Sequence, residues 1–330
     1  MFKNAKVLVT GGAGFVGTNL ILRLLDLGAQ VTATIHKKEP QIKDPRVAFI
    51  RAELLNAADC EKVCAGQDYV FMCAANTSGA GVTGTLAVAR STPDGHNLVI
   101  LTGGTPSQQL LRPDQPYNLL KDFAMVTTIC AYPMVIAVAP NSPIKTFADL
   151  IARAKAQPGK VTYSMNSIGS LHHLLGEWIG IDAGVQMEGI PYRGSPPAFM
   201  DVSSGRVDVM IDTGTFVLPQ IEQKQLRGLA QSAPGKYALA PDIPAVTETL
   251  PNVQIMSWLG FAMAKNTPKP IVDRLNAEIT AILDQEEVKQ KLAQMGNIPM
   301  PSKPEDMLAR IDREMAQWKR VIDAKGIKAE

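Results

Sequence analysis

The 330 residues carry a formal net charge of +2, with 46% hydrophobic and 19% charged residues, the composition of a globular chain with ample core. No basic run provides a nucleic-acid footprint, and no apolar run approaches the ~18 residues that a membrane helix needs. At this length the prior is two domains.

In chain order, Met1–Gly12 holds no apolar segment of secretory length, so the chain as written is expected to stay in the cytoplasm. Lys6–Thr10 is a short apolar strand that runs into Gly11, Gly12, Gly14 and Gly17. A helix follows from Phe15, with Val16, Leu20, Leu24 and Leu27 on one face and Gly28 as its stop. Gln30–Ile35 is the second strand. Strand, glycine turn, helix and strand together form the context that a dinucleotide fingerprint requires: the glycines allow a tight turn and close approach to a pyrophosphate. His36-Lys37-Lys38 ends the second strand, where an acid would select NAD through its 2′-OH. Basic residues there favour the 2′-phosphate of NADP, and a solvated basic turn is the equal alternative. Arg46–Ile50 reads as a third strand, Asn56–Ala65 as a short helix and Tyr69–Cys73 as a fourth strand. Cys60, Cys64, Cys73 and Cys130 are the four cysteines; with no second pair or histidine at ligand spacing, they read as free thiols, and no metal site is expected.

The chain changes character at Gly79. A short helix at Leu86–Arg90 stops at Pro93-Asp94-Gly95, and strands are expected at Asn97–Leu101, Met125–Cys130 and Met134–Ala139. Phe147–Ala156 is a helix and Pro158-Gly159 a turn. Val161–Tyr163 then leads through Ser164, Asn166, Ser167, Gly169 and Ser170 into a helix carrying Leu171, Leu174, Leu175 and Trp178. The first N–H groups of a helix lack internal partners and lie at the positive end of its dipole. Beside four polar side chains, such an end suits a small anion; the plainer reading is an ordinary N-cap. His172 and His173 are adjacent and point to different sides of that helix, so neither is expected to ligate a metal. Further on, Val207–Ile211 and Leu226–Ala230 are strands. Thr267-Pro268 is an expected N-cap and first helical residue, and Pro304 opens a last helix with Leu308, Ile311, Met315, Trp318 and Ile322 on one side. That helix reads as packing on its own domain, since its pattern is too short for a coiled coil.

Two resemblances attach to these residues. Thr10–Gly17, T-G-G-A-G-F-V-G, resembles the fingerprint of extended short-chain dehydrogenases of the NAD-dependent epimerase and dehydratase group. The resemblance implies cofactor contacts from Gly11, Gly14, Phe15, Val16 and Gly17 to the pyrophosphate, from His36 and Lys37 to the adenosine ribose, and from Ala74 and Ala75 near the nicotinamide ribose. The family's catalytic Tyr-x-x-x-Lys pair is represented only by Tyr117 and Lys121. Those two sit in a proline-flanked loop rather than a long helix, so no catalytic residue is assigned and the chain is read as not an enzyme.

Residues 79–330 are similar to Bug-type receptors, the periplasmic solute-binding proteins of tripartite tricarboxylate transporters. Pro93-Asp94-Gly95, Lys121-Asp122-Phe123, Tyr163–Glu177, Pro191-Tyr192-Arg193-Gly194-Ser195, Gly205–Met210 and Ser257-Trp258 carry the similarity in order. It implies an α/β, two-lobe periplasmic-binding-protein-like fold of type II that binds a small carboxylate without a cofactor, acts as a monomer and works with membrane transporter subunits. The expected ligand contacts are Ser164, Asn166, Ser167, Gly169, Ser170, Tyr192, Ser195, Asp212 and Thr213. The chain thus resembles a fusion: a Rossmann-like half over residues 1–78 begins the first lobe, which continues over 79–130 and 226–300; lobe two spans 131–225 and a C-terminal helix 304–324. One continuous sheet is expected, with Asn97–Leu101 beside the strands of the Rossmann-like half and Gly11–Gly17 facing the cleft. The alternatives are an NADP-binding oxidoreductase, or a fusion with neither activity intact.

Overall fold

The computed structural model describes residues 2–328 apart from 14, 37–38, 41, 54–56 and 73–81. It divides into two compact units, Met1–Ala87 and Val88–Glu330. In the first, β1 (Lys6–Thr10), α1 (Phe15–Asp26), β2 (Gln30–Ile35), β3 (Val47–Arg51), α2 (Ala57–Cys64) and β4 (Tyr69–Met72) follow one another. The strands are all parallel, in the order β3-β2-β1-β4, which is the order of a dinucleotide-binding half. Alternation along β1 explains its two buried faces: Val7 and Val9 pack with Ile21, Leu24 and Leu25 of α1, and Leu8 packs on the other side with Ala52 and Val63. The buried stripe of α1 is therefore centred on Ile21 and Leu24, and the expected Leu27 is exposed.

The second unit begins within α3 (Val82–Ala89) and continues as β5 (Val99–Thr102), α4 (Thr105–Leu111), β6 (Phe123–Val138), α5 (Phe147–Ala156), β7 (Thr162–Met165) and α6 (Leu171–Ala183). Then come β8 (Glu188–Pro191), α7 (Ser195–Ser203), β9 (Val209–Thr213), α8 (Gly214–Glu222), β10 (Arg227–Gln231) and β11 (Met256–Ala264). The chain ends with α9 (Lys269–Leu283), α10 (Glu286–Gln294), β12 (Ile298–Pro299) and α11 (Pro304–Lys325).

The axis of this unit is β6. Two strands were expected between Met125 and Ala139; the structure has one of 16 residues. Its first half, up to Pro133, pairs antiparallel with β11, and its second half, from Met134, pairs with β9 and β10. Pro133 falls where the strand changes neighbours, the kind of position that tolerates a missing N–H. β5 pairs with β11 rather than with any strand of the first unit. The expected continuous sheet through Asn97–Leu101 is thus corrected: among the described residues β1–β4 form one sheet, and β5 belongs to the other, where β11 is its neighbour.

Helix starts follow local chemistry. α5 opens with a reciprocal cap, in which the Thr146 hydroxyl accepts from the Asp149 N–H and the Asp149 carboxylate accepts from the Thr146 N–H, as such caps do. For α9 the cap position is Pro268, one residue later than expected, because the Thr267 hydroxyl turns back to donate to the Ala264 carbonyl. The largest core lies between β7, β9, α5, α6 and α11, with Tyr163, Leu174, Trp178, Ile211 and Trp318 at its centre. A second core, on the other face of the sheet, gathers Val135, Met210, Val217 and Tyr237.

Candidate functional site

In the second unit the candidate site expected from sequence comprises the loop between β7 and α6 and the strand end of β9. Ser164 is buried within β7, whose neighbours β8 and β9 pair with it on both sides. Asn166 and Ser167 are exposed on the loop. Gly169 has φ +75°, and a Cβ there would lie 1.9 Å from Leu111 Cδ1, so both its backbone and its neighbours require glycine. Its carbonyl accepts from the Ser107 hydroxyl of α4 at 2.9 Å. Its N–H donates to Nδ1 of His173 at 3.1 Å. Both polar groups of Gly169 are therefore spent inside the protein, and the residue serves the site through loop shape.

Ser170 is the N-cap of α6. Its hydroxyl donates to the Ser167 carbonyl at 2.7 Å and accepts from the His173 N–H at 3.4 Å. The N–H groups of Leu171 and His172, in the first turn, have no intrahelical acceptor. The loop is a closed polar turn with helix donors at its mouth.

At the end of β9, Asp212 is buried and three groups converge on it. The Thr213 N–H donates to Oδ1 at 2.6 Å, His172 Nε2 lies 3.3 Å from the same oxygen, and Ser195 is near enough to help hold the carboxyl low. Burial pushes its carboxyl up, but the hydrogen bonds and the charge of His172, with Ser195 and Thr213, outweigh it and hold the group below the ordinary carboxylate range. The other ring nitrogen of His172, Nδ1, is buried with no protein partner among the described residues. An unsatisfied buried polar atom costs about 1–3 kcal/mol, so this position calls for a water or a polar ligand atom. Ser195 opens α7, and Thr213 is the N-cap of α8. Tyr192 is turned elsewhere: its hydroxyl donates to Asp201 at 2.8 Å, and burial together with that carboxylate pushes it up to about 12. Arg193 is exposed.

Sequence reasoning missed His172, Ser107 and the pair Tyr132–Ser257. Ser257 stands opposite Tyr132 across the β11–β6 ladder, where it offsets part of the rise that burial, foremost, and nearby Asp212 give the Tyr132 hydroxyl's pKa. The available signal was Ser257-Trp258, which stood in the receptor-like order without a role.

In the first unit, Gly11 has φ +68° and donates its N–H to the Thr34 hydroxyl at 3.2 Å, and the Gly12 N–H donates to the Thr34 carbonyl at 2.8 Å. A Cβ on Gly17 would lie 2.3 Å from the Gly11 carbonyl oxygen, so α1 can rest on the turn only with glycine there. Gly17→Ala is expected to cost this unit about 2–3 kcal/mol by overpacking; hydrogen exchange of the β1 and β2 amides measures it, and unchanged protection would contradict the tight turn. His36 Nδ1 lies 3.6 Å from Glu53 Oε2 at the end of β2, so an acid does stand beside His36. Gly14, Lys37, Ala74 and Ala75 lie outside the described residues, and Phe15 and Val16 are placed by backbone alone at the start of α1. Tyr117 packs edge-on against Phe123 with ring centres 5.8 Å apart, and Lys121 follows in a turn; the pair is not carried on a helix.

Comparison with known proteins places this architecture. A solved Rhodopseudomonas palustris protein, Rpa4515 with adipate, superposes over 99% of this chain and 98% of its own with a TM-score of 0.73 at 24% identity. MatC from the same species, with bound malate, covers 97% and 99% with a TM-score of 0.67 at 21% identity. The fold is therefore that of the two-lobed periplasmic binding proteins, with a Rossmann-type βαβ segment at its start. The family profile of the tripartite tricarboxylate transporter family receptor matches residues 63–327, and the chain belongs to that family of solute-binding receptors. BugT of Bordetella pertussis is 32% identical over 257 residues, 77% of this chain and 79% of its own length. A UPF0065 protein from a Pseudomonas species is 31% identical over 250 residues, 75% and 74% of the two chains. The NAD dependent epimerase/dehydratase family matches residues 7–91, as the Thr10–Gly17 fingerprint implied. Among the described residues no helix is long and apolar enough to cross a membrane.

Proposed function

We propose that this chain is a receptor for a small organic carboxylate, gripped by the β7–α6 loop and the β9 strand end, and that it is not an enzyme. The observation that carries the reading is the capped loop at Ser167–Ser170, with helix N–H groups at its mouth and the buried Asp212–His172–Ser195 cluster at the strand end. Asn166, Ser167 and Thr213 offer polar side chains there; Ser164 is buried in β7, Ser195 opens α7, and Tyr192 serves α7. Binding needs no cofactor. The chain acts as a monomer that works with membrane transporter subunits; BugD, a solved structure similar to this chain, is a periplasmic binding protein, which supports a periplasmic location rather than the cytoplasmic one expected from Met1–Gly12.

Thermal unfolding with adipate, malate and citrate tests this. A ligand present at a hundred times its Kd stabilises by about 2.7 kcal/mol, a readily measured rise in melting temperature. No response to any of the acids would remove the reading. The intact turn around Gly11, Thr34 and Gly17 favours a second, separate property: NADP or NAD binding by the first unit. Enhanced NADPH fluorescence would support it, and unchanged fluorescence at millimolar nucleotide would dismiss it.

A further inference from the structure

The β7–α6 loop is held at a second point besides its cap. Because the Gly169 N–H donates to His173 Nδ1 at 3.1 Å, that nitrogen carries no proton, and the hydrogen of the neutral ring sits on Nε2. Nε2 faces Glu177 Oε1 at 3.8 Å, one turn along α6. Glu177 is fixed in turn. The Tyr163 hydroxyl donates to the same oxygen at 3.2 Å, and Lys325 Nζ, from the last turn of α11, lies 2.8 Å from the other. A chain of polar contacts thus runs from the C-terminal helix to the loop that holds the proposed ligand.

We propose that His173 is a positioning residue for the carboxylate loop and a proton sensor within it. While its ring is neutral, Nδ1 holds the Gly169 N–H; protonation of Nδ1 removes that acceptor, frees the loop and weakens carboxylate binding. The proposal rests on the carboxylate reading of the same loop. The groups facing the ring are Glu177 on its own helix, Tyr163 on β7 and Lys325 on α11; Asp212 on β9 faces His172 instead. Burial lowers the ring's pKa from the ordinary 6.5, Glu177 opposes this, and Lys325 adds to it. The sign follows from the lowered value. Between 6.5 and the folded pKa, the unfolded chain binds a proton that the folded ring refuses, so the contact's contribution to stability fades as pH falls below about 6.5, while the contact itself breaks only as pH falls through the lowered folded pKa.

The test uses the full chain, adipate as probe, and a pH series from about 7.5 downward through the range over which nitrogen-15 shifts report protonation of the His173 ring. His173→Gln offers an amide oxygen to Gly169 and does not titrate; His173→Leu offers no acceptor. The wild type is expected to lose about fivefold more affinity on acidification than His173→Gln, a difference of the size of one hydrogen bond, and the ligand's own protonation cancels in that comparison. At pH 7.5 His173→Gln should bind within about threefold of wild type, and His173→Leu about tenfold more weakly. Equal pH dependence in wild type and His173→Gln, or wild-type affinity in His173→Leu, would overturn the proposal. Two readouts need no ligand: exchange of the Gly169 amide, slow in wild type and fast in His173→Leu, and nitrogen-15 shifts of the His173 ring, expected to report the Nε2–H form. If adipate and malate fail to bind while both readouts hold, the carboxylate reading falls and the positioning role stands. An Nδ1–H ring or an unprotected Gly169 amide overturns the positioning role itself.

Discussion

Asp212→Ala is expected to cost the second unit about 3–5 kcal/mol of unfolding free energy, the range for breaking one side of a buried polar pair, and to weaken carboxylate binding at least about tenfold. The carboxylate is buried and takes the Thr213 N–H and the His172 ring at once. Its removal orphans both. It also leaves His172 with neither ring nitrogen satisfied, since Nδ1 already has no protein partner. Asp212→Asn keeps the shape and one acceptor, so it should cost less than half as much. The pH dependence has a definite sign. The folded carboxyl lies below its ordinary value of 3.8, so its contribution is complete above that value and fades as pH falls through it toward the folded pKa. All three tryptophans, Trp178, Trp258 and Trp318, lie in the second unit, so urea unfolding followed by tryptophan fluorescence reports on it alone. The gap between wild type and Asp212→Ala should be full at pH 7 and shrink below pH 4. A gap under about 1 kcal/mol at pH 7, or one that widens in acid, contradicts this account of the cluster.

The parts of the fold that were legible are those governed by local chemistry. Lys6–Thr10 running into Gly11–Gly17 gave strand, turn and helix because close packing of α1 on its turn requires a residue without a Cβ. Gly28 and Gly159 ended their segments with positive φ. β6 was read as two strands because Pro133 looks like a break. Only the pairing of its two halves with different strands, far apart in sequence, makes a proline acceptable in mid-strand. β11 and α4 escaped for a related reason: Met256–Ala264 is buried on both sides and carries no alternation, and α4 has only 7 residues, too few for a periodic signal. The β7–α6 loop was legible as a polar turn before a helix. The cluster at Asp212 was not, because His172, Ser195 and Asp212 come from three segments that meet only through the sheet order β9-β7-β8. The adjacent histidines did point to different sides, as helical geometry requires. What the sequence did not disclose is that each finds a polar partner: Asp212 for one, the Gly169 N–H for the other.

Trp318→Ala is expected to destabilise the second unit by about 3–5 kcal/mol, the range for truncating a large core aromatic, while Trp318→Phe should lie within about 1.5 kcal/mol of wild type. Trp318 is fully buried on α11 and meets Trp178 of α6 edge-on, with ring centres 5.8 Å apart at 88°. Its indole N–H is buried without a partner among the described residues. Phenylalanine therefore gives up part of the packed volume but also removes an orphaned donor worth about 1–3 kcal/mol, and the two changes nearly cancel. Alanine removes the same donor but leaves a cavity too large for α11 and α6 to close, so there the volume decides. The consequence reaches the site, because α11 packs on α4, which bonds the Gly169 carbonyl through Ser107, and on α6, whose Glu177 it holds through Lys325. Loosening α11 should therefore weaken adipate binding in Trp318→Ala and leave it unchanged in Trp318→Phe. Equal stability of the two variants would mean that the cavity closes, and a cost of Trp318→Phe well above about 1.5 kcal/mol would mean that the indole N–H is satisfied after all; full adipate affinity in a destabilised Trp318→Ala would mean that the loop keeps its shape without α11, through the Ser170 cap and β7 alone.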